Sequence, residues 1–365
     1  MNIGIIGLGN FGYNLSVYFS NFGHTISVSD KNETKLETIG FSSYLDNVEV
    51  IRNSDIIFCC VDTHILPSNF LDIKNVMDVV EDFGIAFENE IPLYNKIFVI
   101  CSTLNPGDTK QVSEILNPMN LNVSYVPLIV NSNNVLLSLE SLDTLVVGNL
   151  DSHVSGKISN LFQNKNLKVI TMTSRSAEIY KLAYSSFIHY KINFANFLGE
   201  LMINFGSSDE TKLLLKSLGY NKSISDGNFD FGFGVGGPWI PTENRVFGQV
   251  CNGNRLNYIL PFVNDDFNKS HQTYLKEHFT SLNTDKTQPF IIEGIGYKDN
   301  SGNIMESSKL SLVYDLLKDG YEVFIIETEE FIRNVKVVKD LVSDFGDKIK
   351  FYKKGTTPKG IHINF

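Results

Sequence analysis

Short apolar runs alternate with longer amphipathic stretches over the first half of the chain. Asn2 to Ile6, Thr25 to Val28, Ser54 to Val61, Lys96 to Ile100, Val123 to Val126 and Thr144 to Val147 read as strands, and the short pair Val169-Ile170 as another. Continuous apolar runs of this length, bounded by turn residues, fit strands covered on both faces. Tyr13 to Phe22 has a helical pattern, and Pro106-Gly107-Asp108-Thr109 opens a second helix. The alternation predicts a doubly wound parallel sheet up to about residue 170. Ser174 to Phe205 is long and apolar on several faces, with Ser174 or Ser176 as N-cap and Gly206 as a stop. Such a helix is buried on more than one side. Phe290 to Gly294, Lys309 to Leu317 and Glu322 to Ile326 then read as strand, helix, strand, a second and smaller α/β unit.

Length and charge narrow the class. A chain of 365 residues exceeds one ordinary core, so at least two domains are expected. A formal net charge of −10 argues against nucleic acid or an anionic membrane as partner. No apolar run is long enough for a transmembrane helix, and the N-terminus has no signal-peptide pattern. The four cysteines, Cys59, Cys60, Cys101 and Cys251, have no metal-ligand spacing, so no metal is expected. Few cysteines and no disulfide pattern suggest a reducing, cytoplasmic setting.

Chemistry enters directly after the first strand. Gly7-Leu8-Gly9-Asn10-Phe11-Gly12 opens the first helix, and the second strand runs into Ser29-Asp30-Lys31. Strand, glycine turn, helix, strand and acid are the required context of a dinucleotide fingerprint. Gly7 makes the turn, Gly9 admits the pyrophosphate to the helix N-terminus, and Gly12 lets helix and strand approach. A carboxylate at Asp30 suits the ribose hydroxyls and repels a 2′-phosphate, which favours NAD over NADP. Val61-Asp62-Thr63-His64 and Cys101-Ser102-Thr103 follow strand C-termini, where α/β ligands gather. Gly232 to Pro241 has four glycines in its first six residues, then Trp239, the sole Trp, between two prolines. Either a surface turn or a ligand loop fits that composition. Phe229, Phe231 and Phe233 alternate just before it, either to stack on a base or to pack a strand.

In order along the chain, these landmarks resemble the UDP-glucose/GDP-mannose 6-dehydrogenase family. Asp55 to His64 and Ser102 to Thr109 match two of its segments. Ala177-Glu178-Ile179-Tyr180-Lys181 matches the start of its long helix, Gly234 to Glu243 its glycine–cysteine loop, and Gly294-Ile295-Gly296-Tyr297-Lys298 through Ser308 its last motif. The resemblance implies an NAD-binding Rossmann domain over residues 1–173, a long central helix over 174–206 carrying a homodimer contact, and a C-terminal α/β domain over 207–365 that binds a UDP- or GDP-linked sugar. It implies cofactor contacts from Gly7, Gly9, Asn10, Phe11, Gly12, Asp30, Lys31, Val61, Thr63, Ser102, Thr103 and Lys298. Substrate contacts would come from Lys181, Phe231, Phe233, Gly234, Gly236, Gly237 and Trp239.

The pattern breaks at the chemistry. The family oxidises a C6 alcohol to a carboxylate through a cysteine thioester. Trp239 stands at the cysteine position, Ser185 at an Asn, Thr242 at a Lys, Glu243 at an Asp, and Pro127 to Ser132 lacks two acids. An indole forms no thioester. Three expectations follow. The chain carries out a two-electron step with Lys181, Thr103, Ser185 and His189 as catalytic candidates; or it is a pseudoenzyme that binds NAD or a sugar nucleotide and regulates or assembles; or Cys101 or Cys251 supplies a relocated thiol. On a regular helix Lys181, Ser185 and His189 share one face, with Glu178 a turn earlier, as a proton relay or as packed core groups.

Overall fold

A computed structural model describes every residue of the chain except Thr38, Lys165, Asn257, Tyr258 and Asn300. The chain forms two compact units, Met1–Ala183 and Tyr184–Phe365.

In the first unit the order is β1 (Asn2–Ile6), α1 (Asn10–Asn21), β2 (Thr25–Ser29), β3 (Ser42–Tyr44), α2 (Asn47–Asn53), β4 (Ile56–Cys59), β5 (His64–Ile65), β6 (Leu71–Asp72), α3 (Lys74–Glu88), β7 (Ile97–Ile100), α4 (Asp108–Leu116), β8 (Asn122–Tyr125), α5 (Val135–Glu140), β9 (Thr144–Val147), α6 (Ser152–Ser159) and β10 (Lys168–Thr171). Six strands make a parallel sheet in the order β3-β2-β1-β4-β7-β8. The order reverses beside β1, which opens a crevice at the strand C-termini. Two apolar clusters cover the faces of the sheet, one around Ile3, Phe19 and Phe58 and one around Ile57, Phe83 and Phe98. Burial on both faces is the physical reason these strands are continuous apolar runs. β9 and β10 form a separate parallel pair, reached from the sheet through an antiparallel bridge between Tyr125 and Gly148. The sequence pattern alone predicts them in the main sheet, because a buried run does not reveal its neighbour.

α7 (Ser174–Asn204) is an uninterrupted helix of 31 residues, as its pattern predicts. In its first turns Glu178 is fully buried. Its carboxylate accepts from the backbone N–H of Gly107 (2.6 Å) and Thr109 (2.8 Å) and from the Thr109 hydroxyl (2.6 Å). Gly107, at φ 112°, is the N-cap of α4 and has no side chain to cap with. Glu178 is therefore the missing cap, satisfying donors that a helix start leaves open. Burial pushes its carboxyl up, against the pull of the three hydrogen bonds. That role removes Glu178 from any proton relay along α7.

The second unit continues with α8 (Thr211–Gly219), α9 (Ile240–Gly253), α10 (Ile259–Ser281), β11 (Phe290–Glu293), α11 (Ser308–Lys318), β12 (Val323–Glu327), α12 (Glu329–Asn334), α13 (Lys336–Phe345), β13 (Ile349–Lys353) and β14 (Ile361–His362). Its parallel sheet has the order β13-β12-β11-β14. A core around Leu275, Phe290, Leu312 and Ile325 packs on it.

Candidate functional site

Two places carry the chemistry, one in each unit. In the first, Gly7 leaves β1 at φ 94°, and a Cβ there would lie 2.8 Å from the carbonyl oxygen of Cys60. Gly12 sits so close to the turn that a Cβ would fall 2.0 Å from the Gly7 oxygen. At Gly9 a Cβ would meet nothing within 4 Å, so the space before α1 is open. Gly9 is also the N-cap of α1 and has no side chain to satisfy its first N–H groups. An open, uncapped helix start is an anion site.

Asp30 ends β2 beside this turn. It accepts from Leu8 N (2.7 Å), Asn32 N (2.8 Å) and Lys35 Nζ (2.9 Å). Burial alone would raise its pKa, but these donors outweigh it and hold the carboxyl below its ordinary value. Lys31 points to Asp78 at 2.8 Å and is largely exposed. A cavity of about 160 Å³ is lined by Gly7, Gly9, Asp30, Lys31 and Val61, so five of the expected cofactor residues converge. The Asn10 amide donates to Ser132 O (2.7 Å), and Phe11 packs its ring on the sheet core. Thr63 donates to Thr103 O (2.9 Å) and Ser102 to Val61 O (2.6 Å). These two hydroxyls tie the segments after β4 and β7 together. Lys181 is half-buried in this unit.

The second place is the glycine loop and the start of α9. The glycines answer to the chain's own packing. A Cβ on Gly236 would lie 2.4 Å from the Glu306 carbonyl oxygen, and one on Gly237, at φ 93°, 2.5 Å from the Tyr297 ring. Side chains on three helices, α7, α10 and α11, hold the loop. Asn196 accepts from Gly232 N (3.0 Å), Asn268 accepts from Val235 N (2.7 Å) and donates to Val235 O (2.9 Å), and His271 Nε2 faces Gly232 O (2.8 Å). Ser308 accepts from Gly234 N (3.1 Å). Phe231 and Phe233 both meet the Phe365 ring edge-on, at 4.9 and 5.0 Å between centroids. Lys298 is exposed on the segment after β11, in this second unit.

Trp239 is the N-cap of α9, with a half-buried side chain. One turn into α9, the buried Glu243 carboxylate accepts a short hydrogen bond from the buried Ser185 hydroxyl of α7. The next residue of each helix pairs in the same way, Ser186 donating to Asn244 Oδ1 at 2.8 Å. Neither contact is visible in sequence, although Ser185 and Glu243 are two of the positions at which the chain departs from the resemblance. Behind them Arg245 joins Asp265 (3.2 Å) and Glu306 (2.5 Å).

His189, one turn beyond Ser185, is fully buried, and among the described residues neither ring nitrogen has a hydrogen-bond partner. Burial pushes its pKa down to about 4, with Asp265 pulling it up and Arg245 pushing it further down. The ring is neutral at pH 7. A His with a depressed folded pKa contributes stability that is present above about pH 6.5 and is lost as pH falls toward 4. His189→Leu removes two orphaned polar atoms, so it is expected to flatten that acid limb of the melting profile by roughly 2–3 kcal/mol. An unchanged slope between pH 6.5 and 4 counts against this assignment.

Parallel sheet, glycine turn, uncapped helix and terminal acid define a Rossmann-type dinucleotide-binding protein. Residues 40–166 match the NAD-binding domain of the UDP-glucose/GDP-mannose dehydrogenase family, and residues 175–268 match its central domain. Residues 2–77 also match the NADP oxidoreductase, coenzyme F420-dependent, family. The chain belongs to the UDP-glucose/GDP-mannose dehydrogenase family, and its N-terminal unit is an NAD-binding domain. It is 22% identical over 352 residues to a UDP-glucose 6-dehydrogenase of Rickettsia bellii, covering 88% of this chain and 79% of that one. It is 21% identical to a GDP-mannose 6-dehydrogenase of Pseudomonas aeruginosa, covering 93% and 83%. A solved UDP-glucose dehydrogenase from Pyrobaculum islandicum has the same fold, with a TM-score of 0.82 at 20% identity over 96% of this chain and 85% of that one.

Proposed function

We propose that the chain binds NAD and a UDP- or GDP-linked sugar, and interconverts an alcohol and a carbonyl of that sugar in one two-electron step. Trp239 carries the proposal. Oxidation to the acid needs a thiol at the head of α9, and this position presents an indole. Cys251, the one cysteine of the second unit, lies roughly 18 Å further along α9 at about 1.5 Å per residue, so it is no substitute. NAD, when bound, accepts the hydride. The protein's part is to orient the carbinol and take up its proton, for which Lys181, half-buried on α7, is the acid–base candidate. Ser185 is committed to Glu243 and serves as a positioning residue.

The committed Ser185 and the buried, neutral His189 also favour a second reading, a binding protein without turnover. The two separate on mixing the chain with NAD and a panel of UDP-, GDP-, dTDP- and CDP-sugars. NADH absorbance with an aldehyde or ketone product supports the enzyme. Binding without NADH supports the second reading, and a uronic acid product overturns the claim about Trp239.

The dimer belongs to the same proposal. Phe187, Tyr190, Phe194, Phe197 and Leu201 are all exposed, and they recur at alternating three- and four-residue spacing along α7. That is the apolar seam of a helix awaiting another helix. A second copy of this chain supplies it by symmetry. Phe194→Glu at the centre of the seam is expected to convert a dimer to a monomer in light scattering. A monomeric wild type, or a dimeric variant, removes this part of the proposal. A cytoplasmic setting fits the four unpaired cysteines, and among the described residues no helix is long and apolar enough to cross a membrane.

A further inference from the structure

The far end of α7 borders a cavity of about 680 Å³ in the second unit. Its walls come from the last turn of α7, the start of α8, the last turns of α10 and residues 364–365. Phe231 forms one wall. Its ring lies against Gly199 of α7, where a Cβ would fall 2.0 Å from the ring. Phe231 also packs both on the small cluster of Ala195, Leu215 and Phe229 and on the sheet core, so it joins the two. Phe279 forms another wall, and the Phe365 ring meets both edge-on, at 4.9 Å from Phe231 and 5.8 Å from Phe279. A ring seated on a helix glycine and gripped at its edge does not turn to fill the space beside it. The cavity is also distinct from the contact between α7 and α9. Glu243 at the head of α9 meets α7 at Ser185, and Ile203, which lines the cavity, lies roughly 27 Å further along α7 at about 1.5 Å per residue. None of the described lining residues belongs to Gly232–Trp239, to α9 or to the turn after β11.

The polar groups of the lining define the ligand. Thr211 is 6% exposed, and among the described residues its hydroxyl has no hydrogen-bond partner. A buried hydroxyl left open is costly, and a ligand that reaches it removes the cost. Asp209 and Asp230 line the cavity from exposed positions, and among the described residues neither carboxylate is held by a hydrogen bond or an ion pair. They outnumber the single ammonium of the lining, Lys212. The His278 ring adds no charge near pH 7, because burial lowers its pKa, and it stacks on Tyr274 at 6.2 Å between centroids. The space is thus aromatic inside and negative where it opens, and its volume suits a small organic molecule. A flat ring matches the phenylalanine walls, and a cation matches both the carboxylates and the ring faces.

We propose that this cavity binds an arylalkylammonium ion, its ring among Phe231, Phe279 and Phe365 and its ammonium on Asp209 and Asp230. The site stands whether or not the chain turns over a nucleotide sugar. The test is calorimetric titration of tryptamine into the full chain, alone and with NAD and UDP-glucose in excess. One tryptamine per chain is expected in both cases. Tryptophol keeps the indole and replaces the ammonium with a hydroxyl, and it should bind roughly tenfold or more weakly. Tryptamine should lose a similar factor on the double variant Asp209→Asn with Asp230→Asn, whose exposed positions leave the fold intact. Absence of tryptamine binding to the wild-type chain overturns the proposal. So does equal affinity for tryptophol or for the double variant. Loss of tryptamine binding on adding NAD or UDP-glucose overturns it too, since that would put the cation in one of their sites.

Discussion

Glu178→Ala lowers the melting temperature of the N-terminal unit by roughly 10 °C or more. Three donors lose their acceptor at once, two of them backbone N–H groups at the start of α4. The Gly107 cap has no side chain to replace it, and Glu178 is fully buried, so water reaches the orphans only if the helices part. Unsatisfied buried donors cost about 1–3 kcal/mol each, which puts the loss at roughly 3–5 kcal/mol after relaxation. Glu178→Gln is expected to fall between wild type and Ala, because its amide oxygen can serve some donors while its NH2 opposes the others. Scanning calorimetry on the full chain reads both variants. NAD affinity should drop with stability, since α4 follows the segment whose Ser102 hydroxyl holds Val61, a residue lining the cavity. A melting shift under about 2 °C for Glu178→Ala would mean that the cap is not the carboxylate's main role.

Glu178 also marks the limit of what the sequence discloses. The strands of the first unit are legible because each is a short apolar run covered on both faces. The fingerprint is legible because its parts are local: turn, helix start and acid all lie within the first βαβ unit. α10 is not legible by periodicity. It buries Asn264 and His271, so polar residues occupy the face that a pattern search expects to be apolar. The glycine loop misleads in a different way. Four glycines suggest a backbone approached by a ligand, yet Gly236 and Gly237 are required by Glu306 and Tyr297 of the same chain, which lie far along the sequence. The pairing of Ser185 with Glu243 is likewise tertiary. Two separate departures from a family pattern become one hydrogen bond only when α7 and α9 are placed side by side.

Trp239→Cys yields no uronic acid with any nucleotide sugar, although the new thiol is reactive. The position caps α9, and Glu243 in the first turn is the only acid there. A helix start lowers the pKa of a thiol, so iodoacetamide should label Cys at this position faster than Cys251, whose pKa burial raises. Reactivity is not enough for acid formation. The aldehyde must be captured, oxidised again and released by water, and each step needs groups placed around the thiol. Ser185 and Glu243 are held by one another, Thr242 is not a cation, and Pro127 to Ser132 carries no acid to activate water. The expected outcome is therefore labelling without acid, and at most one NADH per alcohol oxidised. Adding Ser185→Asn and Glu243→Asp restores the side-chain types of the family at that contact, but not the missing base. That triple variant should trap the aldehyde as a thiohemiacetal, or a thioester that turns over slowly, visible as a mass increase on the intact chain. Product analysis by mass spectrometry separates the cases. Uronic acid from Trp239→Cys alone would show that the indole was the only obstacle, and that Ser185, Glu243 and the Pro127–Ser132 segment already suffice for the rest.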